Sequence, residues 1–304
     1  MPRVLLTNDD GIDAVGLGVV REALAPVADV TVVAPADDRS GCARQYSRRF
    51  AVTETADGWV VDGTPTDCVH FGRAGLDTTF DLVVAGCNDG PNLGAHRLGQ
   101  SGTVAAAVQA GFLGVPGVAL SVFDPPTGVR EFDRDDYRAA GRLARFLLTR
   151  IADAGLPEGV DFLNCNVPAT ASDPPLRVTD PVDDFDVRLQ TTTPGEDGGV
   201  ADTETDETTA YRLFDAFYDP LVPDNGVPQT DPPGTDRGAI RREVISLSPL
   251  SVGYQTRAPT ETATLFDGYT AESTTPDDLA DTDETAAIDD PVDTDADDGG
   301  HDTD

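Results

Sequence analysis

The sequence predicts an α/β fold: a mostly parallel sheet with helices on both faces, followed by a β-rich extension and an acidic tail. Three observations carry this. Short apolar runs at 4–7, 30–34 and 82–85 have the character of strands buried on both faces. Between them lie segments with apolar residues at helical spacing, as at Leu17, Val20, Leu24 and Val27. The alternation continues to residue 168 and then stops.

Taken in order, 4–7 is the first strand, 16–27 a helix and 30–34 the next strand. Segments 50–53 and 59–61 flank Asp57-Gly58 and predict a hairpin or two short strands. A helix over 64–76 tolerates Pro65, because its first position needs no N–H. Strand 82–85 follows, then an alanine-rich helix over 101–112, a strand at 118–122, an amphipathic helix over 135–154 and a strand at 160–164. Residues 1–168 thus predict one core.

Beyond Pro168 the texture turns to Asp-Pro-Pro and Thr-Pro-Gly turns, an acidic stretch at 196–207, and strand-like pieces at 185–192, 209–214 and 244–247. Too few apolar residues are present for a second core, so 169–270 reads as a β-rich appendage with a hairpin arm and a returning C-terminal strand. Residues 271–304 hold 14 acidic residues and no arginine, and predict a disordered tail.

The formal net charge is −34, and all 21 basic residues are arginine. Abundant Asp without lysine suits a chain kept hydrated in a salt-adapted cytoplasm, where self-repulsion is screened. Screening shortens from about 10 Å at 0.1 M salt to about 3 Å at 1 M. Dilution into low salt is therefore expected to lower the melting temperature and shift any oligomer toward monomer. Thermal melts and light scattering across a KCl series check this. A melting temperature flat from about 0.1 to 3 M would contradict it.

Short arginine groups such as Arg48-Arg49 offer no basic face for duplex nucleic acid. Cys42, Cys68, Cys87 and Cys165 form no CxxC pair and read as reduced, mostly buried thiols. Neither a signal peptide nor a membrane-spanning run is expected, which predicts a cytoplasmic protein.

Three strand ends carry polar loops: Asn8-Asp9-Asp10-Gly11, then the loop through Arg39-Ser40-Gly41, then Gly86 through Asn88 to Asn92 and Gly94. Parallel strands place such loops on one rim, so Asp9, Asp10, Ser40 and Asn88 can converge. Oxygen donors of this kind suit Mg²⁺ or Mn²⁺. They suit zinc poorly, since only His70, His96 and His301 could supply imidazole. The same residues are also ordinary turn formers and caps, and both readings stand. Ser101-Gly102-Thr103 opens a helix, and free N–H groups there attract phosphate, although a plain N-cap at Ser101 accounts for the serine equally. GxxxxGK[ST] and GxGxxG are both absent.

Five segments together resemble the SurE family of metal-dependent nucleoside-monophosphate phosphatases. They are Leu6-Thr7-Asn8-Asp9-Asp10-Gly11, then Ala34-Pro35 through Arg39-Ser40-Gly41, then Gly63-Thr64-Pro65-Thr66-Asp67-Cys68-Val69. Gly86 through Gly94 and Ser101-Gly102-Thr103-Val104-Ala105-Ala106-Ala107 complete the set. Weaker agreement lies at Asn164 to Pro168 and from Gly234-Thr235-Asp236 to Leu250. The resemblance implies a Rossmann-like three-layer sandwich with a C-terminal hairpin arm exchanged between subunits, giving dimers or tetramers. It implies one divalent cation per subunit on Asp9, Asp10, Ser40 and Asn88, and phosphate beside Asn92, Ser101, Gly102 and Thr103. The implied catalytic residues are Asp9 and Asp10. Either Asp9 attacks phosphorus, or water attacks with Asp9 or Asp10 as base. The implied substrates are nucleoside 5′- and 3′-monophosphates. Two rivals remain: a short-chain polyphosphatase or generic phosphatase at the same site, and a non-catalytic nucleotide- or metal-binding protein. The chain departs from the family at Asp13-Ala14-Val15-Gly16, where a His-Ala-Pro-Gly-like stretch is usual, and at Asp89, where a small residue is common.

Overall fold

The structure, a computed structural model, describes residues 1–124, 131–169, 173–192, 209–221 and 231–253. The acidic stretch at 196–207 and the tail at 271–304 lie outside the described residues.

The centre is a parallel sheet built from β1 (Arg3–Thr7), β2 (Asp29–Pro35), β5 (Leu82–Asp89), β6 (Gly117–Phe123) and β7 (Phe162–Pro168). β3 (Val52–Glu54) and β4 (Trp59–Val61) form the expected hairpin, and β4 extends the sheet in parallel beside β2. β11 (Ile245–Leu250) closes the other side, antiparallel to β7, and β8 (Leu176–Val178) lies outside β11. The order is β3-β4-β2-β1-β5-β6-β7-β11-β8.

Alternation along β1 explains the two faces. Val4 and Leu6 belong to one core with Leu17, Val20 and Leu24 of α1 (Val15–Leu24) and the buried stripe of α5 (Arg138–Ala154). Leu5 points the other way, toward Cys68 and Val69 of α2 (Pro65–Ala74) and Ala106 and Ala110 of α4 (Gly102–Phe112). Helices therefore cover both faces, as the sequence predicts.

Several boundaries differ from the sequence expectation. The long amphipathic helix starts at Arg138 rather than 135, because Asp133 to Asp136 form a side-chain-bonded turn first. β7 runs four residues past 164, since its polar Asn164 and Asn166 are buried against partners rather than ending the strand. β5 also continues, through Asn88 and Asp89, which the sequence reads as loop. A register irregularity against β6 between Ala85 and Asn88 makes room for Gly86, whose φ is +123° and where a Cβ would meet Leu120 O at 2.3 Å.

Past the core, β9 (Val187–Thr192) and β10 (Ala210–Asp215) pair antiparallel, followed by a 3₁₀ turn over Ala216–Leu221. The short helices α3 (Ala95–Leu98) and α6 (Asp236–Ile240) were not expected. α6 joins Leu93, Phe123, Val182, Phe217 and Leu221 in a small core beneath β11. No helix among the described residues is long and apolar enough to cross a membrane.

Candidate active site

Chain order sets where a site can form. From β1 the sheet grows one way through β2, and then the other way through β5, β6 and β7. The crevice beyond the carboxyl ends of β1 and β5 lies at this reversal, the position at which open α/β sheets bind ligands. Asn8-Asp9-Asp10-Gly11 leaves β1 there, and Asn88 sits at the end of β5.

Asn8 closes the first turn by donating from Nδ2 to Gly11 O at 2.7 Å, while its Oδ1 is buried without a partner. Asp9 is buried, and its Oδ1 accepts from Thr103 Oγ1 at 2.5 Å. Its Oδ2 packs over Gly102, where a Cβ would come within 2.8 Å. Only glycine lets the start of α4 approach the carboxylate this closely. Asp10 accepts from the Asp89 N–H at 3.3 Å, which ties the β1 loop to the end of β5. The second loop is tied in through the Arg39 N–H, which donates to Asp9 O at 2.7 Å.

The electrostatics are those of crowded carboxylates. Burial raises the Asp9 carboxyl above its ordinary range, and the charge of Asp38 adds to this, against the lowering effect of the Thr103 hydrogen bonds. Burial and then the charge of Asp9 push Asp10 up to about 7. Burial also raises Cys42 beside Asp9, to about 11.

The structure thus gathers Asp9, Asp10, Gly102 and Thr103 directly, with Ser40 one residue from the Arg39 N–H bond to the Asp9 carbonyl and Asn88 one residue from the Asp89 N–H bond to the Asp10 carboxylate. Ser40 is exposed, and its N–H donates to Asp38. Asn88 turns its Nδ2 to Gly90 O at 2.7 Å. Ser101 caps α4 by accepting the Val104 N–H. Asn92 faces inward: its Nδ2 donates to Ser121 Oγ at 2.8 Å and its N–H to Asn166 Oδ1, while its carbonyl accepts from Asn164 and Asn166. Among the described residues no three His, Cys, Asp or Glu side chains gather into a metal-holding cluster. The buried Asp9 carboxylate, the half-buried Asp10 carboxylate, the unpartnered Asn8 Oδ1 and the nearby amide and hydroxyl oxygens nonetheless form a donor set that fits a hard cation.

Two buried acids outside this set were missed from the residues alone. Asp67 accepts the Ser47 N–H at 2.7 Å and the Thr64 N–H at 2.8 Å, and so pins the segment that follows Ser40 onto α2. Asp236 accepts the Gly94 and Val182 N–H groups. The signal available in sequence was Thr or Ser followed closely by Asp, at Thr64 to Asp67 and Thr235-Asp236, a helix-start pattern that also serves distant loops here.

These features define a class: an α/β protein with adjacent carboxylates, one buried and one half-buried, at the switch point of its sheet, faced by the start of a helix. The chain belongs to the SurE family. The family described as "Survival protein SurE" matches residues 4–185. The chain is 42% identical over 272 residues to the 5′-nucleotidase SurE of Natronomonas pharaonis, covering 88% of this chain and 99% of that protein. With the 5′-nucleotidase SurE of Haloarcula marismortui it shares 41% over 261 residues, covering 84% and 90%. Among solved structures, the SurE protein from Aquifex aeolicus superposes with a TM-score of 0.70 at 27% identity, covering 88% of this chain and all of that one.

Proposed function

We propose that this chain hydrolyses nucleoside 5′-monophosphates, with 3′-monophosphates as further substrates, to nucleoside and inorganic phosphate, using one Mg²⁺ or Mn²⁺ per subunit. Family membership supports phosphoester hydrolysis on nucleotides in general. The 5′ preference is drawn from the names of the relatives, and the residue roles from the family resemblance, with the geometry around Asp9 in support. The observation that carries the reading is Asp9: a buried carboxylate with no ion pair among the described residues, seated on the first turn of α4.

Asp9, Asp10, Ser40 and Asn88 would hold the cation, which when bound supplies charge neutralisation at the phosphate oxygens and a more acidic attacking water. The remaining work falls to the chain. Thr103 orients Asp9 through Oδ1 and leaves Oδ2 as the oxygen that attacks phosphorus or takes a proton. The first-turn N–H groups of α4 favour anionic charge at that spot. Asn92 keeps the neighbouring loop in place through its inward hydrogen bonds.

Phosphate release from AMP and GMP with Mn²⁺ at high KCl tests this, beside short polyphosphate and p-nitrophenyl phosphate. Chelator is expected to abolish release and added Mn²⁺ to restore it. Nucleotide binding without any release would favour the non-catalytic rival, and faster turnover of polyphosphate the other.

The hairpin of β9 and β10 supports subunit exchange to a homodimer or homotetramer. Leu189 pairs with Leu213, and with Val187 and Tyr211 these large apolar side chains stand exposed. The acidic tail is read as dispensable for catalysis. Ending the chain near residue 270 is expected to leave phosphate release at molar KCl unchanged, and a truncated chain that fails to fold or turn over would refute this.

A further inference from the structure

The four residues that the family resemblance sets beside phosphate, Asn92, Ser101, Gly102 and Thr103, lie on one segment, from Asn92 to Thr103. Its far end is held by the Thr103 hydroxyl on Asp9. Its near end is held from outside the catalytic motifs. Gly94 N–H donates to Asp236 Oδ2 at 2.7 Å, and Ala95 N–H to Val182 O at 2.7 Å. Val182 is itself held by Asp236, whose Oδ1 accepts the Val182 N–H at 3.0 Å and the Arg237 N–H at 2.7 Å. Leu93 is fully buried beside Ile240 of α6. Asp236 has no exposed surface, and it spends both oxygens on backbone donors rather than on a cation. Residue 94 is 142 positions away in sequence, so the contact serves no local turn.

We propose that Asp236 is a positioning residue for the phosphate side of the site, setting the Asn92–Thr103 segment against Asp9 through the Gly94 amide. The inference rests on the proposed phosphatase reading for its kinetic consequence, but not for the tether itself. The two oxygens have separate tasks, which makes the tether selectively removable. In Asp236→Asn the amide oxygen is held at the Oδ1 position by two N–H donors. The NH₂ then falls opposite the Gly94 N–H, donor against donor. The opposite flip would set NH₂ against two donors instead of one. The substitution therefore cuts the link to Gly94 and leaves those to Val182 and Arg237.

The test compares wild type, Asp236→Asn and Thr235→Ala. The last removes the cap of α6, in which Thr235 Oγ1 accepts the Gly238 N–H, without touching Gly94. In Asp236→Asn, amide hydrogen exchange is expected to speed up at Gly94 and Ala95 at least tenfold more than at Val182. KM for AMP and the inhibition constant for inorganic phosphate are expected to rise about tenfold, with kcat within about twofold of wild type. Thr235→Ala is expected to melt earlier with KM unchanged. Retained protection at Gly94 in Asp236→Asn, or an equal rise of KM in Thr235→Ala, would overturn the inference. A wild type that releases no phosphate would defeat the proposed function instead, and hydrogen exchange together with inorganic phosphate binding would still decide the tether.

Discussion

Asp9→Asn is expected to reduce phosphate release by at least about 100-fold, the usual cost of losing a group that handles the reacting proton or bond. The same variant is expected to fold as well as wild type without metal, or better. Burial raises the Asp9 carboxyl above its ordinary value. Its ionised form is therefore disfavoured in the folded chain, and at neutral pH that charge lowers stability. Asparagine removes the charge and still offers Thr103 an acceptor. Phosphate release and melting of the metal-free protein, measured in parallel, check both halves. Activity above about a tenth of wild type would refute the assignment of Asp9.

The second large effect is on stability. Arg237 is 3% exposed and makes bonds in three directions: Nε and Nη2 grip Asp231, Nη2 also meets Asp184 at 2.6 Å, and Nη1 donates to Phe217 O at 2.7 Å. The guanidinium also lies 4.5 Å from the Phe217 ring centroid. Arg237→Met leaves the buried Asp231 carboxylate only the longer contact to Arg241 Nη1 at 3.8 Å, and breaking most of a buried pair in this way costs about 3–5 kcal/mol. For a chain of this size the melting temperature should fall on the order of 10 °C. Restoring much of the loss by adding Asp231→Leu would show that the poorly compensated Asp231 charge is the cause, since paired ions are often replaceable by apolar residues of similar volume. A single variant that melts within about 2 °C of wild type would contradict this account.

The parts of the fold that were readable in sequence are those in which burial follows side-chain polarity. β1, β2 and the first half of β5 are nearly all apolar because helices cover both of their faces, and α1 shows its stripe because one side meets solvent. Where polar groups are buried, the pattern fails. β7 looks finished at Asn164 because an amide ordinarily ends an apolar run, yet Asn164 and Asn166 are wholly buried and bonded to Asn92. α6 buries Asp236 and Arg237, residues that periodicity assigns to solvent. β8 has all three residues exposed and exists only through its ladder to β11, so it carries no apolar signature. The site divides along the same line. Asp9, Asp10, Ser40, Asn88 and the start of α4 stand in contiguous polar segments at or beyond strand ends, and the convergence of the first four at one rim follows from topology. The residues that hold those loops, Asp67 and Asp236, act across 20 and 142 positions, distances that no local pattern encodes.

The position of β11 has a consequence for how the chain is made. β8 touches the sheet only through β11, which enters between it and β7, so the ninth strand in space is earlier in the chain than the eighth. As the polypeptide leaves the ribosome, β7 is complete at Pro168, but its partner begins only at Ile245. At about 5–20 residues per second the interval lasts about 4–15 s, during which a fully buried strand stands as a bare edge. The helix-covered half from β1 to β7 can form during that interval. The small core of Leu93, Phe123 and Ile240 cannot, because Ile240 emerges only just before β11. Synthesis therefore finishes the carboxylate side of the site before the proposed phosphate side, because the segment around Gly94 waits for Asp236 to emerge.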